Sequence, residues 1–165
     1  MAAKEVPAGK IPPQNLDAEK SLLGAVLIDE ETLADISEHV STKDFYDKRH
    51  ATIYGGMIRL YERHRPVDLL TLTEELKKKD ELDIIGGSSY LTELTNYVPT
   101  AAHAEAYAEM VALKAVRRRL IKASSEISEL GYDEDTDVQE LLQKAEQELF
   151  SVSDQSLKQD LTSIE

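Results

Sequence analysis

The sequence predicts an all-α protein in which a compact helical head is followed by a long antiparallel helical hairpin. Apolar residues recur every three or four positions through most of the chain, which is the period of amphipathic helices. In the first hundred residues these patterns are short and are separated by proline, glycine and capping residues. Residues 101–130 then contain neither glycine nor proline. This change from short to long patterns divides the head from the hairpin.

Composition limits the classes of protein to which the chain can belong. Its 165 residues suffice for one domain and an appendage, and 41% apolar with 31% charged residues is typical of folded helical proteins. The net charge of −13 repels phosphate backbones and anionic membranes, which argues against primary nucleic-acid binding and membrane association. The chain has no cysteine, no apolar run near the roughly 20 residues of a membrane span, and no signal-peptide pattern. We therefore expect a cytoplasmic protein.

The first helix has strong start signals. Pro13 cannot continue an upstream helix, and Asn15 can cap the helix that follows. Asp17 and Glu19 place negative charge in its first turn, where the helix dipole favours it. Its apolar positions at helical spacing are Leu16, Leu23, Val26 and Leu27.

Two more helices follow the first. A short helix from about residue 30 to 39 presents Leu33 and Ile36, and a turn at 41–44 ends it. A third helix ends before Pro66. The apolar side chains on this helix and its approach are Phe45, Tyr46, Ile53, Tyr54, Met57 and Leu60.

The last two helices of the head are predicted from capping signals. Thr71 and Glu74 have the spacing of a capping box for a helix that ends near Asp80. Residues 84–87 form a turn, after which Ser88 or Ser89 caps a short helix. The apolar side chains of that helix are Tyr90, Leu91, Leu94 and Tyr97.

The hairpin is predicted from two long heptad-like patterns joined by GYDEDT at 131–136. The first helix would be about 45 Å long at 1.5 Å per residue. Its seam positions are Met110, Leu113, Val116, Leu120, Ala123, Ile127 and Leu130. The second helix begins near Asp137, and its seam positions are Val138, Leu142, Ala145, Leu149 and Val152. A short connection between two helices favours an antiparallel arrangement.

The hairpin has more apolar surface than one antiparallel seam uses. Val111 and Ile121 lie off the first seam, and Phe150 lies off the second. We expect this excess to be buried against another subunit. The residues predicted for this oligomer interface are Val111, Leu113, Leu120, Leu142, Leu149 and Phe150.

The predicted organisation has four segments. Residues 1–10 form a flexible N-terminus, residues 11–99 the head, residues 100–152 the hairpin, and residues 153–165 the start of a linker.

Residue patterns give little support for a catalytic or metal site. The glycine pair at 86–87 precedes a helix and could cradle a phosphate, but it is neither GxGxxG nor GxxxxGK[ST], so a helix-entry turn is the better interpretation. The pair at 55–56 lies within a helical pattern and favours close helix packing. Four histidines at wide spacing do not predict zinc, and we expect His50 to be packed or hydrogen-bonded. Adjacent acidic pairs diverge on a helix and do not indicate a glycosidase.

A basic cluster on the first hairpin helix allows two interpretations. Acidic residues of the opposite arm, where residues 133–154 carry eight acids and one lysine, could neutralise it. Three consecutive arginines span almost a full turn, however, so at least one must face away and could bind a partner. The cluster consists of Lys114, Arg117, Arg118, Arg119 and Lys122.

Taken together and in order, several stretches resemble the N-terminal domain of bacterial replicative DNA helicases of the DnaB family. One departure is His103, where the family's stretch commonly reads PTAAN. The matching stretches cover about residues 11–152: IPPQNLDAEKSLLGAVLID, DFYDKRHATIY, RPVDLLTLTEEL, IIGGSSYLTEL, VPTAAHAEAYAEMV, RRRLI and AEQELF.

The resemblance implies an assembly and docking role without catalysis. In this family six N-terminal domains form a collar through paired hairpins, and the C-terminal domain of primase docks on that collar. The ATP-dependent 5′–3′ helicase activity, with its ATP and magnesium, belongs to a RecA-like motor domain that would follow a linker. The resemblance therefore implies no cofactor, metal or catalytic residue in this chain. The primase-facing positions that it implies are Asp17, Tyr90, Arg118, Ile121 and Ile127.

Physical reasoning supports these positions only in part. Tyr90 and Ile121 can supply apolar anchors, while Asp17 and Arg118 can form charged hydrogen bonds. Alternatively, Tyr90 and Ile127 are core residues and Asp17 serves only its helix dipole. The competing functions are an oligomerisation scaffold, a docking domain for a helicase loader, and a phosphate-handling activity at Gly86 and Gly87.

Overall fold

The computed structural model describes residues 10–164, with side chains to residue 155, and this part of the chain contains seven α-helices, one short 3-10 helix and no strand. The predicted all-α fold class is confirmed. The predicted flexible N-terminus lies, apart from Lys10, outside the described residues. The helices are α1 Leu16–Ile28, α2 Thr32–Ile36, the 3-10 helix Thr42–Asp44, α3 Lys48–Glu62, α4 Leu69–Lys78, α5 Gly87–Thr95, α6 Ala104–Leu130 and α7 Val138–Ile164.

The chain divides into two compact units. The head unit is Gln14–Ala115, and the hairpin unit comprises Val116–Glu165 with Met1–Pro13, as far as these are described. The division falls within α6, because the first part of that helix contributes Ala104, Ala108 and Val111 to the core of the head unit. The compact units therefore separate at 115/116, while the division into head and hairpin domains at 99/100 stays a prediction.

Helix α1 lies at the centre of the head unit. Leu22, Leu23 and Val26 have no exposed surface, and α1 packs on α2, α3 and α5. Gly24 allows the closest of these approaches, because a Cβ atom there would lie 2.3 Å from the carbonyl oxygen of Leu94. Any larger residue would force α1 and α5 apart.

Helices α3 and α4 pack through a second glycine. A Cβ atom on Gly56 would lie 3.0 Å from a methyl group of Leu72 and 3.0 Å from one of Leu76. The prediction that the first glycine pair permits close packing is confirmed for Gly56. A Cβ atom on Gly55 would make only ordinary contact, 3.7 Å from Thr42.

An ionic cluster joins the same two helices. Arg59 donates to Glu75 at 2.7 Å and to Glu81 at 2.9 Å, and Arg63 donates to the second oxygen of Glu75. Burial raises the pKa of Glu75, but the hydrogen bonds from the two arginines outweigh it and hold that pKa below its ordinary value. Glu75 is therefore an ionised, nearly buried carboxylate with both oxygens engaged.

Capping agrees with the sequence at the first helix and differs at two others. The Asn15 side chain accepts the Ala18 N–H at 3.0 Å, as predicted. The predicted box of Thr71 and Glu74 is wrong: α4 begins three residues earlier, and its box pairs Asp68 with Thr71 at 2.9 and 3.0 Å.

Glycine, not serine, starts α5. The prediction that Ser88 or Ser89 caps this helix is wrong, because Gly86 precedes it with φ of 108° and Gly87 is its first residue with φ of 77°. Positive φ angles of this size are readily adopted only by glycine. Ser89 instead donates its hydroxyl to the Gly86 carbonyl.

The hairpin unit brings the second part of α6 and the antiparallel α7 together, and the two arms line one groove. Its best-buried side chain is Ala123, at 4% exposure, with Ile127 and Ala145 half-buried. The predicted seam is confirmed in part: its positions Ala123, Ile127 and Ala145 are buried or half-buried, whereas its positions Leu142 and Leu149 are 54% exposed and lie on an outer face. Half-buried Leu141, one residue earlier, takes the inward position. Ala123, Leu141 and Ala145 are thus at least half-buried, while Leu142 and Leu149 stay outside.

Two further hairpin predictions are corrected. Val111, predicted for the oligomer interface, is 2% exposed and belongs to the head-unit core, so it has no surface to offer another subunit. Helix α7 continues to Ile164, beyond the end at 152 that the sequence predicts. The assignment of residues 153–165 to a linker stays a prediction, with its described part in helical conformation.

Candidate functional site

A buried polar network links three helices of the head unit. His50 of α3 has no exposed surface, and its two ring nitrogens lie 2.7 Å from a carboxylate oxygen of Glu19 and 2.6 Å from the hydroxyl of Tyr90. A carboxylate only accepts hydrogen bonds, so Nδ1 of His50 carries the proton toward Glu19. The prediction that His50 is a packed, hydrogen-bonded histidine is confirmed.

Glu19 has a role that its position in the first turn of α1 does not indicate. Its side chain is nearly fully buried and accepts the backbone N–H of Tyr46 at 2.6 Å and of Asp47 at 3.3 Å. These bonds satisfy a carboxylate that would otherwise be costly to bury. The network therefore fixes the start of α3 against α1 and α5.

Arg49 covers the outer side of Tyr90. Its guanidinium carbon lies 4.6 Å from the centre of the Tyr90 ring, and its Nη2 donates to Asp47 at 2.9 Å. Burial raises the pKa of Tyr90, so its hydroxyl stays protonated. Burial also raises the pKa of Asp47, but hydrogen bonds from the Arg49 side chain and backbone reverse the effect and lower that pKa.

Asp17 belongs to a second cluster on the head unit. The hydroxyl of Tyr97 donates to Oδ1 of Asp17 at 2.6 Å, and Nζ of Lys20 lies 5.5 Å from the centre of the Tyr97 ring. The hydrogen bond to Asp17 raises the pKa of Tyr97. Asp17 itself is exposed, as a partner-contacting residue must be.

Glu93 lies near both the Tyr90–Arg49 cluster and the Asp17–Tyr97 cluster. Burial raises the pKa of Tyr90, and hydrogen bonds to Asp17 and Asp47 raise those of Tyr97 and Arg49; the charge of Glu93 adds to all three effects, so Glu93 lies near these groups. We call the surface formed by these residues the polar-aromatic face. It consists of Asp17, Lys20, Arg49, Tyr90, Glu93 and Tyr97.

Two of the five predicted partner-facing residues, Asp17 and Tyr90, lie on this face. Tyr90 is only 8% exposed, so most of its ring is core and Arg49 covers its outer side. The sequence prediction missed Glu93 and Tyr97. Glu93 lies three residues after Tyr90, which places the two side chains on one side of α5 and was a usable signal, whereas Tyr97 lies beyond the end of α5 at Thr95.

The other three predicted residues lie in the hairpin unit. Ile121 is 52% exposed, Ile127 is half-buried, and the guanidinium of half-buried Arg118 donates to the Pro13 carbonyl at 2.7 Å. Arg118 therefore holds the segment before α1 to α6. One basic residue of the cluster, Lys122, acts on Glu148 of the opposite arm, as the charge-neutralising interpretation requires.

The hairpin unit exposes several large apolar side chains. Each is at least half exposed, which is costly for a leucine or phenylalanine unless another surface covers it. Leu113, at 58% exposure, lies on the head-unit part of α6. We call the hairpin-unit set the apolar hairpin residues: Leu120, Ile121, Leu142, Leu149 and Phe150.

Small-molecule and metal sites have little support within residues 10–155. A groove of about 550 Å³ between the hairpin arms is lined mainly by charged residues, unlike the apolar pockets that hold most ligands. No group of three or more potential ligands could hold a metal ion there, and no described helix could span a membrane. A Cβ atom on Gly86 would lie 3.0 Å from that of Tyr90, so this glycine turn packs on the protein, as expected of a helix-entry turn.

Comparisons with known proteins give one consistent result. Residues 11–112 match the family described as the DnaB-like helicase N-terminal domain. The chain is 43% identical over 144 residues to the replicative DNA helicase DnaB of Geobacillus stearothermophilus and 42% identical to the replicative DNA helicase DnaC of Bacillus subtilis. These matches cover 87% of this chain and 32% of each relative, so the chain spans about a third of their length.

Solved structures agree with the sequence matches. The N-terminal domain of DnaB helicase from Mycobacterium tuberculosis is similar with a TM-score of 0.82 and 40% identity, over 86% of this chain and 99% of that one. A DnaB-like replicative helicase, described together with its interactions with primase, is similar with a TM-score of 0.71 and 25% identity. That match covers 84% of this chain and 31% of the helicase.

Proposed function

Because the chain belongs to the DnaB-like helicase N-terminal domain family, we propose that it assembles helicase subunits and docks primase at the replication fork. Self-association is the first part of this role. The apolar hairpin residues carry the proposal, since five large side chains at 50 to 67% exposure form a surface that a second copy can bury. Leu113, 58% exposed on the head-unit part of α6, is a further residue that we propose for self-association. Six copies would then form the collar of a hexameric helicase.

Primase docking is the second part of the proposal. One similar helicase is described with its interactions with primase, and the polar-aromatic face supplies an aromatic, charged surface of the kind enriched at interfaces. The docking residues that we propose are Asp17 and Tyr90 on that face and Arg118, Ile121 and Ile127 in the hairpin unit. Tyr90 contributes through its exposed edge and the arginine that covers it.

The chain itself would have no catalytic role. Unwinding, with its ATP and magnesium, would belong to a motor domain, and the cytoplasm is where such a helicase would act.

A titration with the C-terminal domain of primase tests the docking part. We expect the 165-residue chain to bind it, and Ile121→Asp to weaken binding at least tenfold by placing a charge in an apolar contact. Leu70→Asp is the matched control, because Leu70 is 71% exposed on α4 of the head unit and is not among the proposed docking residues. Calorimetry measures both.

The outcome separates the alternatives. Binding that Ile121→Asp leaves unchanged removes this residue from the proposed site. A chain that associates with itself but does not bind primase supports the oligomerisation scaffold instead. Binding of a helicase loader in place of primase supports the loader-docking alternative. Nucleotide turnover by the pure chain that depends on Gly87 would support the phosphate-handling activity.

A further inference from the structure

Tyr97 holds the exposed carboxylate of Asp17 in one orientation. Helix α1 does not require that orientation for its stability. Asp17 lies in the first turn of α1, where the helix dipole alone favours a negative charge. Its exposed side chain could otherwise adopt several rotamers. The Tyr97 hydroxyl, 80 residues further along the chain, donates to Oδ1 at 2.6 Å and so selects one of them.

The surroundings hold Tyr97 itself in place. Lys20 lies one helical turn beyond Asp17 on α1 and places its ammonium group 5.5 Å from the centre of the Tyr97 ring. Val98, the residue after Tyr97, is buried at 8% exposure and anchors the backbone at this point. Tyr97 remains 39% exposed, so the pair it forms with Asp17 can be reached by another protein.

The charges near Asp17 indicate which chemistry it would accept. Glu93 adds a second negative charge close to Tyr97. Lys20, one turn along α1, lies over the Tyr97 ring, and Arg49, near Glu93, pairs with Asp47 at 2.9 Å, so each of these cations has another partner. A carboxylate accepts hydrogen bonds at both oxygens, and Tyr97 uses only Oδ1. A positively charged hydrogen-bond donor is therefore the group that best suits the unused oxygen of Asp17.

We propose that Tyr97 is a positioning residue of the docking surface, which holds Asp17 to accept a hydrogen bond from a lysine or arginine of primase. This inference rests on the proposed function, because it names how one of its docking residues is held. A carboxylate that is already oriented loses less side-chain entropy when the partner binds, which strengthens binding. The Asp17–Tyr97 pair is exposed, so it adds little to the stability of the fold.

A double-mutant cycle tests the positioning role. Tyr97→Phe removes only the hydroxyl, and we expect it to weaken binding of the primase C-terminal domain about fivefold. Asp17→Ala should weaken binding by at least as much. In the Asp17→Ala background, Tyr97→Phe should have no further effect, because its action passes through the lost carboxylate. Tyr61→Phe is the matched control, since Tyr61 is also 39% exposed but lies on α3.

A spectroscopic titration follows the hydrogen bond without any partner. The bond to Asp17 raises the pKa of Tyr97, so Asp17→Ala should lower the pKa of Tyr97 toward its ordinary value. NMR of the labelled tyrosine ring measures this change, and Tyr61 should not respond. An unchanged Tyr97 pKa in Asp17→Ala would contradict the hydrogen bond on which the proposal depends.

The outcomes for the two proposals differ. If the unsubstituted chain binds primase and Tyr97→Phe binds equally well, or if the two substitutions act additively, the positioning role is overturned and the proposed function remains. If the unsubstituted chain does not bind primase, the docking function fails and the Tyr97 proposal fails with it. If Tyr97→Phe weakens primase binding when Asp17 is present but has no effect in the Asp17→Ala background, both the docking function and the positioning role are supported.

Discussion

The head unit and the hairpin unit use apolar and acidic residues in opposite ways. In the head unit, Leu22 and Ile53 have no exposed surface, whereas Leu142 and Leu149 of the hairpin unit are 54% exposed. Two arginines lower the pKa of Glu75 in the head unit, whereas a hydrogen bond with Glu126 raises the pKa of Glu148 in the hairpin unit. In the head unit, these apolar side chains are buried and the Glu75 carboxylate is paired within the unit. The hairpin unit leaves large apolar side chains exposed.

A matched pair of leucine substitutions should show the largest difference between the units. Leu22→Ala creates a cavity in a fully packed core and should lower the free energy of unfolding by about 4 kcal/mol. Leu142→Ala removes a half-exposed side chain and should cost under about 0.5 kcal/mol when the chain is dilute. Urea unfolding followed by circular dichroism measures both. Equal losses would mean that the hairpin leucines are core residues.

The buried network of the head unit should give the next largest effect. His50→Ala leaves the Glu19 carboxylate without its imidazole partner and Tyr90 without its hydrogen bond, which should cost about 3 kcal/mol. His103→Ala, at an exposed histidine, should leave stability within about 0.5 kcal/mol of the unsubstituted chain. Thermal or urea unfolding distinguishes the two. Similar small losses would show that the network contributes no stability.

Glu75 should make the stability of the head unit depend on pH. Its pKa is lowered in the folded chain, so its contribution is complete above the ordinary pKa of 4.5 and is lost as the pH falls through the folded value. Glu75→Gln should cost about 1 to 2 kcal/mol at pH 7. The difference between the two proteins should narrow as the pH falls below about 5. A difference that stays constant with pH would rule out this ionic contribution.

The pair of Glu126 and Glu148 in the hairpin unit should make stability depend on pH with the opposite sign to Glu75. This should be the smallest of the expected effects. The hydrogen bond with Glu126 raises the pKa of half-buried Glu148, so the stability that this bond adds is present at low pH and is lost as the pH rises. Glu126→Gln removes the like charge and should lower the pKa of Glu148 toward its ordinary value. An NMR titration of the labelled Glu148 carboxyl measures this shift. No movement would show that the two side chains do not interact in solution.

Local signals in the sequence explain why most of the fold could be predicted. Asn15 caps α1 through a bond to a residue three positions away, and Gly56 lies in a helix whose partner follows closely in the chain. The α4 and α5 starts were misplaced because several polar or small residues compete for each cap. Only the folded chain shows that Asp68 and Gly86 occupy these positions.

Long-range contacts explain what the sequence did not predict. Asp17 meets Tyr97 across 80 residues, and Glu19 meets His50 across 31, so no local pattern indicates either pair. Heptad spacing predicted a stripe of leucines on α7 but not the direction in which it faces. Ala123 and Ala145, two of the predicted seam positions, are buried or half-buried, whereas Leu142 and Leu149 stay exposed.

Sedimentation of the 165-residue chain over a range of concentrations tests the central claim most directly. The apolar hairpin residues should drive association, so the unsubstituted chain should form dimers or larger assemblies as the concentration rises. The double variant Leu142→Asp with Leu149→Asp should stay monomeric with a folded head unit, and Leu70→Asp should associate normally. A chain that stays monomeric at hundreds of micromolar, or a double variant that associates as well as the unsubstituted chain, would contradict the claim.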